Sequence, residues 1–122
     1  MRVRISWKSG EAYGFLNDSI TARKVSAVLP CSSTVNTWGD EVYFSLPVEA
    51  QLEAEAQQTV PAGTICFWVQ GNSMAIPFGP TPISRGSECR LVTKVNLLGQ
   101  LENDARVLRS LRDGDQIRIE AV

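Results

Sequence analysis

Histidine is absent from this 122-residue chain. That absence removes imidazole general-base catalysis, the Ser-His-Asp and Cys-His triads and the commonest zinc ligand together. Cysteines are few: Cys31, Cys66 and Cys89 form no Cys-x-x-Cys pair, and an odd count is a poor disulfide framework. They are read as reduced thiols of a cytoplasmic protein, and Cys66, inside the apolar run from Ile65 to Val69, as a small buried hydrophobe. No run approaches the roughly 18 apolar residues of a membrane-spanning helix. The opening Met1-Arg2-Val3-Arg4-Ile5 enters an alternating pattern at once, so neither secretion nor membrane insertion is expected. Charge of neither sign is in excess: 12 Lys plus Arg against 13 Asp plus Glu give a net charge of -1. There is no global basic field to draw a phosphate backbone or an anionic membrane, and nucleic acid is not an expected partner. Carboxylates and thiols show no ligand spacing, so no metal and no cofactor is expected.

What remains is an ordinary globular composition, 43% hydrophobic and 20% charged, at a length that suits one domain over residues 1–122. Val3, Ile5 and Trp7 alternate with Arg2, Arg4 and Ser6, the period-two mark of a half-buried strand. Lys8-Ser9-Gly10 turns the chain, and Ala12 to Leu16 returns it as a hairpin. Ala22, Val25, Val28 and Leu29 are spaced three or four apart, predicting a short amphipathic helix with Thr21 as N-cap and Pro30 just past its end. Further strands are expected over 33–38, 42–46, 64–69, 73–78, 91–98 and 117–122, with Gly39-Asp40 as a turn or bulge. The stretch from Val48 to Gln58 is ambiguous and is read as a strand passing into a loop or helical turn. Ala105, Val107, Leu108 and Leu111 line a second helix that Asn103 or Asp104 can cap and Gly114 ends.

Many short strands with only two short helices do not fit an alternating parallel sheet, which needs a helix between nearly every strand pair. A small closed antiparallel β-barrel with two peripheral helices fits, and closure removes the exposed edges.

The most informative stretch runs from Phe67 to Pro82. Together with Trp38-Gly39-Asp40-Glu41-Val42-Tyr43-Phe44, Asn96-Leu97-Leu98-Gly99 and Leu111 to Ile117, it resembles a family of small prokaryotic cyclophilin-like proteins of uncharacterised function. The resemblance implies a cyclophilin-like barrel and no assigned activity. Phe67, Trp68, Gln70 and Gly71 are similar to part of the groove signature of the prolyl isomerases. The arginine expected upstream of that string has no counterpart between Thr59 and Cys66. It would hydrogen-bond the prolyl nitrogen as amide resonance is lost.

Glu41 and Tyr43, two apart on one strand, point to the same side and are expected to line a pocket mouth walled by Trp38 and Phe78. The alternative packs Trp38 in the core and leaves Glu41 solvated. The candidate ligand-binding set is Trp38, Glu41, Tyr43, Phe67, Gln70, Met74, Phe78 and Thr81. Adjacent Asp40 and Glu41 point to opposite faces and do not make a glycosidase-type pair. Arg106, Arg109 and Arg112 form a basic stripe that acidic neighbours can satisfy. The leading expectation is a binding module for a small molecule or an extended peptide at the barrel rim, as a monomer or homodimer. The alternatives are a prolyl isomerase with a noncanonical site and an interaction subunit of a larger complex.

Overall fold

Alternating apolar residues become the inner wall of a barrel in the computed structural model, which describes residues 1–122. The elements are β1 (Arg2–Trp7), β2 (Gly10–Leu16), α1 (Ile20–Ala27), β3 (Cys31–Thr34), β4 (Asn36–Thr37), β5 (Glu41–Ser45) and β6 (Gln57–Val60). They continue with β7 (Thr64–Trp68), β8 (Ser73–Pro77), β9 (Cys89–Leu101), a 3-10 helix (Ala105–Ser110) and β10 (Gln116–Ala121). Every strand pairing is antiparallel, in the order β3-β10-β1-β2-β9-β7-β8-β5-β4. The two ends of that path are halves of one extended segment. β3 bonds β10, whereas β4 bonds β5, and between them Val35 exchanges backbone bonds with Asp115 and Gly114. The sheet thereby closes on itself as a small antiparallel barrel.

Val3 and Ile5 of β1, Val42 and Phe44 of β5, Phe67 of β7, Met74 and Ile76 of β8 and Ile117 and Ile119 of β10 fill the interior. Ala22 and Val25 of α1 and Ala105 and Leu108 of the 3-10 helix complete this core. The helix over 105–111 is thus a single tight 3-10 element and not an α-helix, capped by Asp104, whose side chain accepts from the Arg106 amide. Ser19, and not Thr21, caps α1, accepting from the Ala22 amide at 3.2 Å. Thr21 is instead buried, and its hydroxyl donates to the Glu53 carboxylate.

Residues 48–56 form neither strand nor helix. Asn96 holds this segment: its amide donates to Gln51 O at 2.8 Å, and its Oδ1 accepts from the Glu53 amide at 2.7 Å. A fully buried asparagine thus pairs two backbone groups of a segment that has no ladder of its own. The order is the reverse of the expected one: the strand, β6, comes only at Gln57, where the sequence reading placed a loop or helical turn.

β9 is longer than its apolar run suggests because it serves two sheets. From Asn96 onward it pairs with β7 and then β2 in the barrel, whereas Cys89 to Val95 pair with β6 as a ribbon. Close crossing against β2 requires Gly99, since a Cβ there would sit 1.8 Å from the Phe15 carbonyl oxygen. The ribbon lies over the outside of the barrel and traps a second apolar cluster of Val60, Cys66, Ala75, Leu91 and Val95. This covering explains why β7 is buried on both faces. No helix is long and apolar enough to cross a membrane.

Candidate functional site

Two short motifs build the site by docking on each other. Trp38-Gly39-Asp40-Glu41 makes a tight turn in which the Trp38 amide donates to the Glu41 carbonyl at 3.0 Å. Gly39 has φ +59, a left-handed conformation that favours glycine, and a Cβ there would lie 2.8 Å from Pro82 Cδ. The Asp40 amide donates to Pro80 O at 2.9 Å, and the Phe78 amide donates to Asp40 O at 2.7 Å. The loop from Phe78 to Pro82 thus fixes where β5 begins, and with it the position of Glu41.

From that start, the pleat sends Val42 and Phe44 into the barrel and Glu41 and Tyr43 outward. On the outer face Tyr43 is level with Ala75 of β8 and Cys66 of β7, while Trp68 is level with Ser73. The small side chains of Ala75 and Ser73 on the intervening strand let the two rings meet above it. Tyr43 and Trp68 pack edge to face, centroids 5.8 Å apart and planes at 86°. Leu91, Val92 and Val95 descend from the ribbon, and Trp38 closes the side. Together with Glu41 these residues enclose a pocket of about 180 Å³.

Glu41 is the one charged residue in the lining and is only 7% exposed. No protein group bonds its Oε1, and the buried Trp68 Nε1 likewise has no partner. Burial pushes the Glu41 carboxyl up to about 7, because the apolar walls disfavour its charged form and no cation offsets that cost. Cys66, behind the pocket in the second cluster, is pushed up strongly by burial and by the neighbouring Glu41, which leaves it an inert thiol. No three Cys, Asp or Glu side chains converge to hold a metal ion.

The structure thus brings together Trp38, Glu41 and Tyr43 of the eight residues singled out from sequence, and separates the other five from them. Phe67 and Met74 face the barrel interior and are fully buried there, because β7 and β8 alternate in the opposite phase. Gln70 is exposed in the turn between β7 and β8. Phe78 packs against the main core and lines surface clefts beside Asp40 instead of the pocket. Thr81 is a structural tie: its hydroxyl donates to Arg90 O and its amide to Ser84 Oγ, joining the loop to β9. With Phe67 inside, Trp68 outside and Gln70 in the turn, the string similar to the isomerase signature does not present one groove.

Trp68, Leu91, Val92 and Val95 were missing from the sequence-based set. Trp68 was open to inference, since it follows Phe67 and must point to the other face. The ribbon residues carried no such signal, as nothing local says that β9 folds over β5 and β7.

A closed antiparallel barrel with a small apolar pocket on its outer wall, beneath a β-ribbon, places the molecule among the cyclophilin-type barrels. The chain belongs to the Cyclophilin-like family, whose model matches residues 1–120. A hypothetical protein from Archaeoglobus fulgidus, solved in solution, is 33% identical with a TM-score of 0.85, the match covering 100% of this chain and 95% of that one. McbB, solved in complex with tryptophan, shares the fold at 17% identity and a TM-score of 0.66, the match covering 98% of this chain and 46% of McbB. No curated protein is significantly similar in sequence.

Proposed function

We propose that this protein is a small-molecule binding module whose site is the outer-wall pocket over Glu41 and Trp68. The observation that carries the reading is a pair of buried polar atoms without protein partners, Glu41 Oε1 and Trp68 Nε1, on two residues that line the same apolar pocket. Buried polar groups are nearly always paired, and each orphan costs about 1–3 kcal/mol. Two orphans in one cavity mark a place where a ligand supplies the missing bonds. The aromatic walls provide the apolar contact, and the polar pair provides orientation. McbB, of which 46% matches this chain, was itself solved in complex with a small molecule, tryptophan.

An extended peptide is the weaker form of the reading, because the 180 Å³ pocket suits one small group and not a run of residues. Native mass spectrometry of gently purified protein tests the proposal and reports subunit number in the same spectrum. A discrete added mass that is lost on denaturation, and that Glu41→Gln or Trp68→Phe protein fails to carry, supports it. If wild type and both variants carry the same added mass, or if that mass survives disruption of the pocket, the ligand is held elsewhere.

A further inference from the structure

We infer that the ligand of this pocket is a small organic ammonium ion, held by the Glu41 carboxylate between the rings of Trp38, Tyr43 and Trp68. This rests on the proposed binding site and names its ligand class. Three features of the pocket converge on a cation. Three aromatic residues line it: Tyr43 and Trp68, packed edge to face at 86°, and Trp38. Ring faces carry partial negative charge and attract ammonium groups, the more so when water is kept out.

Glu41 lines the same pocket, is more than nine-tenths buried and carries an oxygen without a protein partner. No Lys or Arg lines the pocket, so when Glu41 ionises its charge partner comes from outside the protein, and a cationic ligand supplies it. A carboxylate-bearing or phosphate-bearing ligand is disfavoured for the same reason, since it would meet Glu41 with like charge. The remaining orphan, the Trp68 indole N–H, faces no acceptor in the protein and suits an oxygen acceptor carried by the same molecule.

Aliphatic probes of one branched skeleton separate charge from shape: isobutylammonium, isobutanol and isovalerate, each titrated against 15N-labelled protein. The expected result is that isobutylammonium moves the side-chain N–H signals of Trp38 and Trp68 and binds at least about tenfold more tightly than isobutanol, with isovalerate inactive. Glu41→Gln should abolish the preference for the ammonium while retaining the weak binding of the alcohol.

Wild-type protein supplies a second test that needs no variant. Affinity for isobutylammonium should rise at least about tenfold between pH 5.5 and 8.5 as Glu41 ionises, while that for isobutanol stays flat. The other titratable groups near Glu41 are Tyr43 on its own strand and Cys66 on β7; Asp40 lies against Gly79, away from the pocket. Equal or tighter binding of the alcohol or of isovalerate would overturn the cation assignment while leaving the pocket itself standing. Silence from all three probes would also overturn it, and the native mass spectrum then shows separately whether the binding site falls as well.

Discussion

Tyr43 and Trp68 meet at right angles across a strand that belongs to neither of them, 5.8 Å between ring centroids. β8 lies between β5 and β7, and its outward residues at this level are Ala75 and Ser73. Two small side chains in the middle strand therefore make a hollow between two large ones. The β6/β9 ribbon roofs that hollow, and the turn at Gly39 sets Glu41 at its edge. A fully covered hollow would be only a second core, as it is next to the pocket around Cys66 and Ala75. It differs here because two of the residues around it, Glu41 and Trp68, carry buried polar atoms without a protein partner.

The first consequence concerns pH. The Glu41 carboxyl is about 7 in the folded protein against 4.5 for an ordinary glutamate, so between these values the folded state holds a proton that the unfolded state has lost. Stability from this group is fully present below about pH 4.5, falls as pH rises through the interval, and is flat above pH 7. A shift of this size corresponds to a loss of ~3 kcal/mol across the window. The window is clean because the chain has no histidine. Urea denaturation at pH 5 and pH 8 should show wild type weaker at pH 8, and Glu41→Gln should remove most of the difference.

Phe67 and Met74 separate core from site. Both are fully buried inside the barrel, so Phe67→Ala and Met74→Ala should each cost about 2–5 kcal/mol in chemical denaturation. Gln70→Ala, on the exposed turn, should stay within about 0.5 kcal/mol of wild type and leave ligand binding untouched. If Gln70→Ala impairs binding at unchanged stability, the site extends over the β7–β8 turn.

Trp68→Phe tests the orphan donor. The ring that packs against Tyr43 is largely kept, and the buried N–H without a partner is removed. Stability should change by no more than about 1 kcal/mol, because lost ring contact and relief of the unpaired donor oppose each other. Ligand retention should nevertheless fall, a split between binding and stability that a purely structural tryptophan would not produce.

Gly39→Ala tests the docking of the two motifs. A side chain at φ +59 is strained, and its Cβ would press on Pro82 Cδ at 2.8 Å and Thr81 Cα at 2.9 Å. The substitution should cost about 1–3 kcal/mol in thermal or chemical denaturation. It should also perturb the Trp38 side-chain N–H resonance, because the turn that carries Trp38 must shift.

The barrel was legible in the sequence because most of its evidence is local. The alternation of Val3, Ile5 and Trp7 or of Ile117 and Ile119 identifies strands with one inward face, and the scarcity of helices between them excludes a parallel sheet. The shared direction of Glu41 and Tyr43 follows from the same period. Errors arose where residue type stood in for facing. Phe67 and Met74 look like ligand contacts by chemistry, but their strand phase commits them to the interior. The ribbon was illegible for a different reason: whether Leu91 and Val95 cover the outer wall depends on a strand that leaves one sheet and joins another, which no window of sequence around them encodes. The segment from 48 to 56 was likewise undecidable locally, because Asn96, distant in sequence, supplies its hydrogen bonds.

The most direct measurement is a two-dimensional 15N spectrum of the three tryptophan side-chain N–H groups during a screen of small fragments. Trp7 serves as an internal control, since its Nε1 donates to Ser110 Oγ at 2.9 Å away from the pocket. Binding at the outer wall predicts that active fragments move the Trp68 and Trp38 signals together and leave Trp7 in place, and that cationic fragments lose most of their effect in Glu41→Gln protein. Fragments that bind while moving Trp7 alone, or a broad screen in which Trp68 never responds, would contradict the pocket as the protein's binding site.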